Sequence, residues 1–185
     1  MENTNYLFMA IIGCTPKGRL TEQHDVFFGV GKSMKDLIPQ MIEFWPDADG
    51  RIHIDAWRKV TAVDGYRVEV SKTREPSDKH LFFINLGGYK PGEFEEYHYK
   101  MLAVADTIGN AVAQSKTTAF YKHYGFKGAT SHVDDKYGVD VDDLHNVQDV
   151  LPKSTQNQFS LRITPDDSSP EDDLHIGYFK LEKLV

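Results

Sequence analysis

In this chain a histidine repeatedly stands two residues from a carboxylate, and four of these pairs stand out. His53-Ile54-Asp55 and His132-Val133-Asp134 have the histidine first, and Glu22-Gln23-His24 and Glu96-Tyr97-His98 have the acid first. Two residues apart on a strand is one face of that strand. A carboxylate beside an imidazole fixes its tautomer and raises its basicity, which serves a general base or a metal ligand. Two donors per pair are too few for a metal, so others must join them. The same pattern also suits a solvated strand face, or a polar patch where copies or subunits meet.

Other groups carry weaker chemistry. Glu22 and Glu96 open what reads as a helix, where a carboxylate offsets the helix dipole. On a helix Glu22 and His24 stand about 200° apart, so they are not expected to hold one ion together. Gly13–Leu20 resembles a phosphate-cradling loop, but Arg19 and Leu20 occupy the positions where that loop needs lysine and a hydroxyl. Cys14 reads as a small residue tolerated in a turn, since the corresponding position further along is Gly88. The acids Asp134, Asp135, Asp140, Asp142 and Asp143, and those from Asp166 to Asp173, lack the spacing of a calcium-binding hand and read as solvated loops.

An internal duplication organises these motifs. A shift of 74 places Leu7–Val30 on Leu81–Val104 without a gap. Identical pairs are Leu7/Leu81, Phe8/Phe82, Gly13/Gly87, Gly18/Gly92, Glu22/Glu96, His24/His98 and Val30/Val104. A shift of 79 then sets His53 on His132 and Asp55 on Asp134, implying about five extra residues in the second copy. The expected domains are a first repeat over 6–71, a second over 80–151 and a C-terminal β-hairpin extension over 152–185, packed as one compact domain.

Within each repeat the apolar runs Leu7–Ile12 and Leu81–Leu86, ended by glycine, predict buried strands. The spacing of Phe27, Val30, Met34, Leu37, Ile38, Met41 and Trp45 predicts a long helix, kinked at Pro39. Arg51–Val60 alternates, with Ile52, Ile54 and Ala56 on one face and His53, Asp55 and Trp57 on the other. Tyr66–Val70 follows the Asp64-Gly65 turn. The fold class is therefore α+β: a duplicated strand-helix-strand-strand unit forming mixed sheets, helices mainly on one face. A strand-helix-strand crossover would put His24 and His53 of one copy at opposite ends of the sheet, about 20–30 Å apart. Any composite site would then pair His24 with His132 and Asp134, or His98 with His53 and Asp55, across copies or across a dimer.

The segments Gly18-Arg19-Leu20-Thr21-Glu22-Gln23-His24-Asp25-Val26-Phe27-Phe28-Gly29, His53-Ile54-Asp55-Ala56-Trp57-Arg58 and Leu81-Phe82-Phe83-Ile84-Asn85-Leu86-Gly87-Gly88-Tyr89 carry a family resemblance. With Lys35-Asp36-Leu37-Ile38-Pro39 and Phe44-Trp45-Pro46, they resemble an uncharacterised bacterial domain-of-unknown-function family whose domain occurs in one or two copies. The resemblance runs over about residues 6–150. It implies a two-copy architecture and a bacterial cytoplasmic origin, and no activity.

Composition narrows the partners. The 185 residues hold 21 Lys+Arg against 28 Asp+Glu, a net charge of −7. An acidic chain without a basic stripe argues against nucleic acid. The longest apolar run falls far short of a membrane span of about 20 residues, and one cysteine excludes an intrachain disulfide. With no basic leader at the start, a cytoplasmic location is expected. Two functions fit. One is binding of a small polar molecule, with or without a divalent metal, in a cleft lined by His24, His53, Asp55, Trp57, His98, His132 and Asp134. The other is a non-catalytic homo-oligomeric module, a dimer, whose polar-aromatic strand face is the interface. Cofactor, reaction and substrate are not specified by these residues.

Overall fold

The computed structural model describes residues 4–90, 92–118 and 139–184. The chain divides into two compact units, one of Met1–Glu75 with Val150–Val185, the other of Pro76–Asp149.

The first unit begins with β1 (Tyr6–Cys14) and β2 (Gln23–Gly31), an antiparallel hairpin. β2 corrects the expected long helix. Val26-Phe27-Phe28-Gly29-Val30-Gly31 is rich in β-branched and aromatic residues, and two glycines disfavour helix. Helical structure starts only at Met34, with one tight turn to Leu37 followed by α1 (Ile38–Phe44). Asp36 Oδ2 accepts from the backbone N–H groups of Lys32 (3.0 Å) and Ser33 (2.9 Å), which anchors the start of that turn. Pro39 lies in the first turn of α1, where its missing N–H is harmless, so it opens the helix instead of kinking it.

After α1 the chain returns as β3 (His53–Val60), which pairs antiparallel with the free side of β1. The strand order is β10-β3-β1-β2, with β10 (His175–Lys180) on the outer edge of β3. Every pairing in the described residues is antiparallel, so the expected parallel crossover next to β1 does not occur. β2 and β3 each run against β1 and therefore run alongside one another, flanking it. One face buries Phe8, Ala10, Ile12, Cys14, Phe27, Ile52 and Ile54 with Met34, Leu37 and Met41. Helical residues thus pack on the Ile52/Ile54 face, as the alternation predicts. A second sheet holds β4 (Ala62–Val63), β5 (Tyr66–Ser71) and β9 (Ser160–Pro165), with β4 joined to β5 by a tight turn in which Asp64 and Gly65 both have positive φ. β9 and β10 sit in different sheets, so the C-terminal segment is not a hairpin. Asp172 ties it down by accepting from the N–H of Thr61 (2.8 Å) and of Ala62 (3.2 Å).

The second unit has the same order: β6 (His80–Tyr89), β7 (Glu96–Ala105), α2 (Ile108–Ser115) and β8 (Val139–Asn146). Its sheet is β7-β6-β8, again antiparallel with the first strand central. Thr107 caps α2 by accepting from the Asn110 N–H at 3.2 Å. One anchor recurs at the same spacing in both units. Gln40 donates to the carbonyl of Val30 at 3.0 Å, and Gln114 to that of Val104 at 3.1 Å. Each holds the first helical segment against the strand before it.

Candidate metal centre

The topology brings to one place what the sequence separates. Because β2 is a strand, both β2 and β3 start beside the end of β1. Gly13 pairs with His24 on one side and with His53 on the other. The two imidazoles are 6.2 Å apart, centroid to centroid, within one unit, not 20–30 Å apart as expected. Glu22 stands just before β2, two residues from His24, and joins the same cluster; on extended backbone that spacing is one face. The expectation that Glu22 and His24 could not act together fails with the helix that motivated it.

Asp55 arrives by a bulge. Ile11 pairs with Ala56 and Ile12 with Ile54, leaving Asp55 as an extra residue. Its Oδ2 lies 3.1 Å from His24 Nε2 and 3.4 Å from His53 Nε2. On the other side of the imidazoles, Glu22 places Oε1 3.2 Å from His53 Nε2 and Oε2 3.6 Å from His24 Nε2. The bulge also reverses the alternation after it. Trp57 therefore packs toward the core, 6.1 Å from the Phe8 ring, and stacks on His175 at 3.8 Å. Trp57 does not line the cluster, contrary to the alternation drawn from sequence.

Burial decides what the cluster can do. His53 is only 5% exposed. Its Nε2 and the Oδ2 of Asp55 are both buried and neither makes a hydrogen bond. Buried polar atoms are rarely left so, because each costs about 1–3 kcal/mol. Glu22 and His24, by contrast, are each nearly half exposed. The floor is Gly13: a Cβ there would lie 2.5 Å from His53 Nε2 and 2.9 Å from His24 Cδ2. The ring of Tyr178, on β10, stacks on His53 with centroids 4.6 Å apart.

The second unit gathers a smaller set around Gly87. Gly87 pairs with His98 on β7 and with Asp140 on β8. A bulge between Asn85 and Leu86 again leaves one extra residue, Asp142, on the flanking strand. Asp142 Oδ2 is 3.2 Å from His98 Nε2, and Glu96 Oε2 is 4.0 Å from it. A Cβ at Gly87 would fall 2.1 Å from Asp142 Oδ2. Tyr89 is hydrogen-bonded to Glu96; that bond, with burial and the negative charge of Glu96 and Asp142, raises its phenol above the ordinary range. The described strand beside β6 on this side is β8. The pair His132/Asp134 lies outside the described residues.

Of the four acids in these clusters, Glu22 and Glu96 read from sequence as helix-dipole partners and Asp142 as part of a solvated loop. By sequence the two glycines read as strand ends, and Gly13 also as the start of a phosphate-type loop. The shared Gly13/Gly87 pair was the available signal: a glycine inside a strand marks close approach of other groups. A cleft of the first unit, about 260 Å³, lies between Tyr6, Thr61, Arg67, Glu69 and Arg162 and holds none of the predicted site residues. Among the described residues no helix is long and apolar enough to cross a membrane.

Residues 19–70 match the family model described as Domain of Unknown Function (DUF1543). That segment contains all four residues of the first cluster, and it bears out the resemblance to an uncharacterised domain family over that stretch. Among solved structures, the chain is similar to a protein Il1583 from Idiomarina loihiensis, with 23% identity and a TM-score of 0.63. The similarity covers 97% of this chain and 99% of that one, so the fold is shared. No curated protein matches the chain.

Proposed function

We propose that the first unit binds a divalent transition metal through Glu22, His24, His53 and Asp55 and offers it, from the exposed side, to a small polar ligand. The carrying observation is the pair of buried, unbonded atoms, His53 Nε2 and Asp55 Oδ2, 3.4 Å apart, with His53 Nε2 over the bare Cα of Gly13. A hydrogen-bonded polar patch would aim a proton along one of these contacts. Lone pairs aimed at a shared point leave them unbonded until a cation arrives.

The spacing supports a tetrahedral ion. Metal–ligand bonds of about 2.0–2.1 Å, as zinc makes to nitrogen and oxygen, give ligand–ligand edges of about 3.3 Å. Glu22, His24 and His53 each offer a ligand atom within 4.8 Å of the other two, and Asp55 Oδ2 lies 3.1 and 3.4 Å from the two Nε2 atoms. Two imidazoles with carboxylates suit zinc and its neighbours better than magnesium or calcium. We further read the two units as divergent copies of one element. In that reading Gly13, Glu22, His24 and Asp55 correspond to Gly87, Glu96, His98 and Asp142, and His53 corresponds to Asp140. The supports are the shared registers around each glycine, the paired bulges and the paired glutamine anchors.

The test is zinc binding by the metal-stripped full chain, read by metal analysis and by the zinc-induced rise in Tm. Asp55→Asn should weaken zinc at least tenfold while leaving the metal-free Tm nearly unchanged, because Oδ2 has no hydrogen bond to lose. A parent protein that zinc does not stabilise refutes the reading. The interface reading of the same strand face expects the reverse: unchanged zinc binding and an altered oligomeric state in Asp55→Asn.

A further inference from the structure

The second cluster is not a weakened duplicate of the first; its chemistry differs in kind. Where Gly13 faces His53 on one flanking strand, Gly87 faces Asp140. One imidazole has been exchanged for a carboxylate at that register position. The described donors are His98 Nε2 with oxygens of Glu96 and Asp142, all within 4.8 Å of one another. Their spacing is also different. The contacts of 3.2 and 4.0 Å from His98 Nε2 spread more widely than the first cluster's four. Bonds of about 2.1 Å in an octahedron give edges of about 3.0 Å between neighbours and about 4.2 Å between opposite ligands, which brackets both values. Oxygen-rich octahedral sets favour manganese, magnesium and calcium over zinc.

The cluster is built, not merely acidic. Asp142 comes off a bulge and lies across Gly87, closely enough that a Cβ would displace it. Tyr89 is hydrogen-bonded to Glu96 and fixes that carboxylate from outside. We propose that the second unit carries its own cation site, formed by Glu96, His98 and Asp142 over Gly87, and that it takes a harder divalent ion, of the manganese or magnesium kind, than the first unit does. This site stands on its own residues; only the contrast in preference rests on the first-unit reading.

Manganese is the probe, followed by electron paramagnetic resonance, in which bound ion loses the sharp signal of the free aqua ion. The full chain is titrated metal-free and again with one equivalent of zinc. One manganese per chain should bind in both cases. Asp142→Asn and, separately, His98→Gln should each weaken it at least tenfold, and His53→Gln should leave it unchanged. His98 is partly exposed, so the second variant guards against misfolding of the first. Manganese left free by the parent overturns the proposal, as does uptake that ignores both second-unit variants, displacement by one equivalent of zinc, or loss in His53→Gln. If zinc fails to bind the first unit while manganese still depends on Asp142 and His98, the first-unit reading falls and this site stands.

Discussion

Gly13→Ala isolates the role of the glycine floor with the smallest possible change. The new Cβ would meet His53 Nε2 at 2.5 Å, His53 Cε1 at 2.8 Å and His24 Cδ2 at 2.9 Å. Unstrained contacts lie near 3.5 Å, so the His53 ring must withdraw by about 1 Å. That is half of a metal–ligand bond of about 2 Å, enough to take His53 out of coordination. Losing a ligand outright should cost no less than the upper end of outer-shell losses, about 100-fold in affinity. With zinc at 100 times the parent Kd, the bound ion stabilises the parent by about 2.7 kcal/mol and the variant by only about 0.4 kcal/mol. The difference, about 2.3 kcal/mol, amounts to about 5–9 °C in Tm for a chain of this size.

The metal-free protein should respond oppositely. Gly13 lies within β1 without a positive φ, so alanine is compatible with its backbone and can stabilise by about 0.4–1 kcal/mol through the unfolded chain. The displaced Nε2 has no hydrogen bond to give up. Differential scanning fluorimetry, with and without zinc, should therefore show a metal-free Tm close to the parent's and a collapsed zinc increment. A variant that melts many degrees lower without metal would show the cluster to be a packed structural knot. A variant with the parent's full zinc increment would refute the geometric argument.

Two further outcomes follow from the titratable groups. Cys14 is 2% exposed, and burial pushes its thiol up, with Arg51 pulling partly back. Thiol reagents should label it only under unfolding conditions, and rapid labelling of the native chain would contradict its place in the core. Asp166 accepts from Ser168, Ser169 and Arg67, which hold its carboxyl well below the usual carboxylate range. Its stabilising contribution is thus fully present above the unfolded carboxylate value of about 4 and is lost only as pH falls below that toward the folded value. The stability gap between the parent and Asp166→Asn, followed by urea unfolding, should stay level from pH 7 to 5 and narrow on acidification below about pH 4. A gap that widens on acidification would show the sign to be wrong.

How far the sequence carried the fold depended on which periodicity was real. Leu7–Ile12 is a continuous apolar run and Leu81–Leu86 one broken only by Asn85, and they form β1 and β6; Asp64-Gly65 is a turn by residue type alone. The Phe27-to-Trp45 pattern misled because it joins two elements. Phe27 belongs to β2 and Met34 to Met41 to the helical turns, yet all face the same core, so a helical spacing appears across the junction. That single misreading moved His24 to the wrong end of the sheet. The candidate residues His24, His53, Asp55 and His98 were legible by type, while their convergence was not, because it depends on strand order. The expected second-copy match at His132 and Asp134 lies outside the described residues, and the bulge that leaves Asp142 as the extra residue of β8 has no signature in the sequence.

The bulge also answers why a His-x-Asp pair could serve one ion at all. On a regular strand two such residues rise about 6.6 Å apart, too far for side chains standing straight off the sheet to share a tetrahedral edge of about 3.3 Å. In β3 the extra residue lets Asp55 turn toward its neighbour, and Nε2 and Oδ2 close to 3.4 Å. Gly13 then has to lack a side chain, since the imidazole crosses the space a Cβ would fill. Bulge and glycine are therefore one device, and each is without use when the other is missing. In the second unit Asp142 likewise comes off a bulge and lies across a bare glycine, Gly87. What both units keep is the means of aiming a carboxylate at the histidine of the hairpin strand across a bare strand end. In the first unit the residue opposite that glycine is His53, whose imidazole should favour zinc and its neighbours over harder ions.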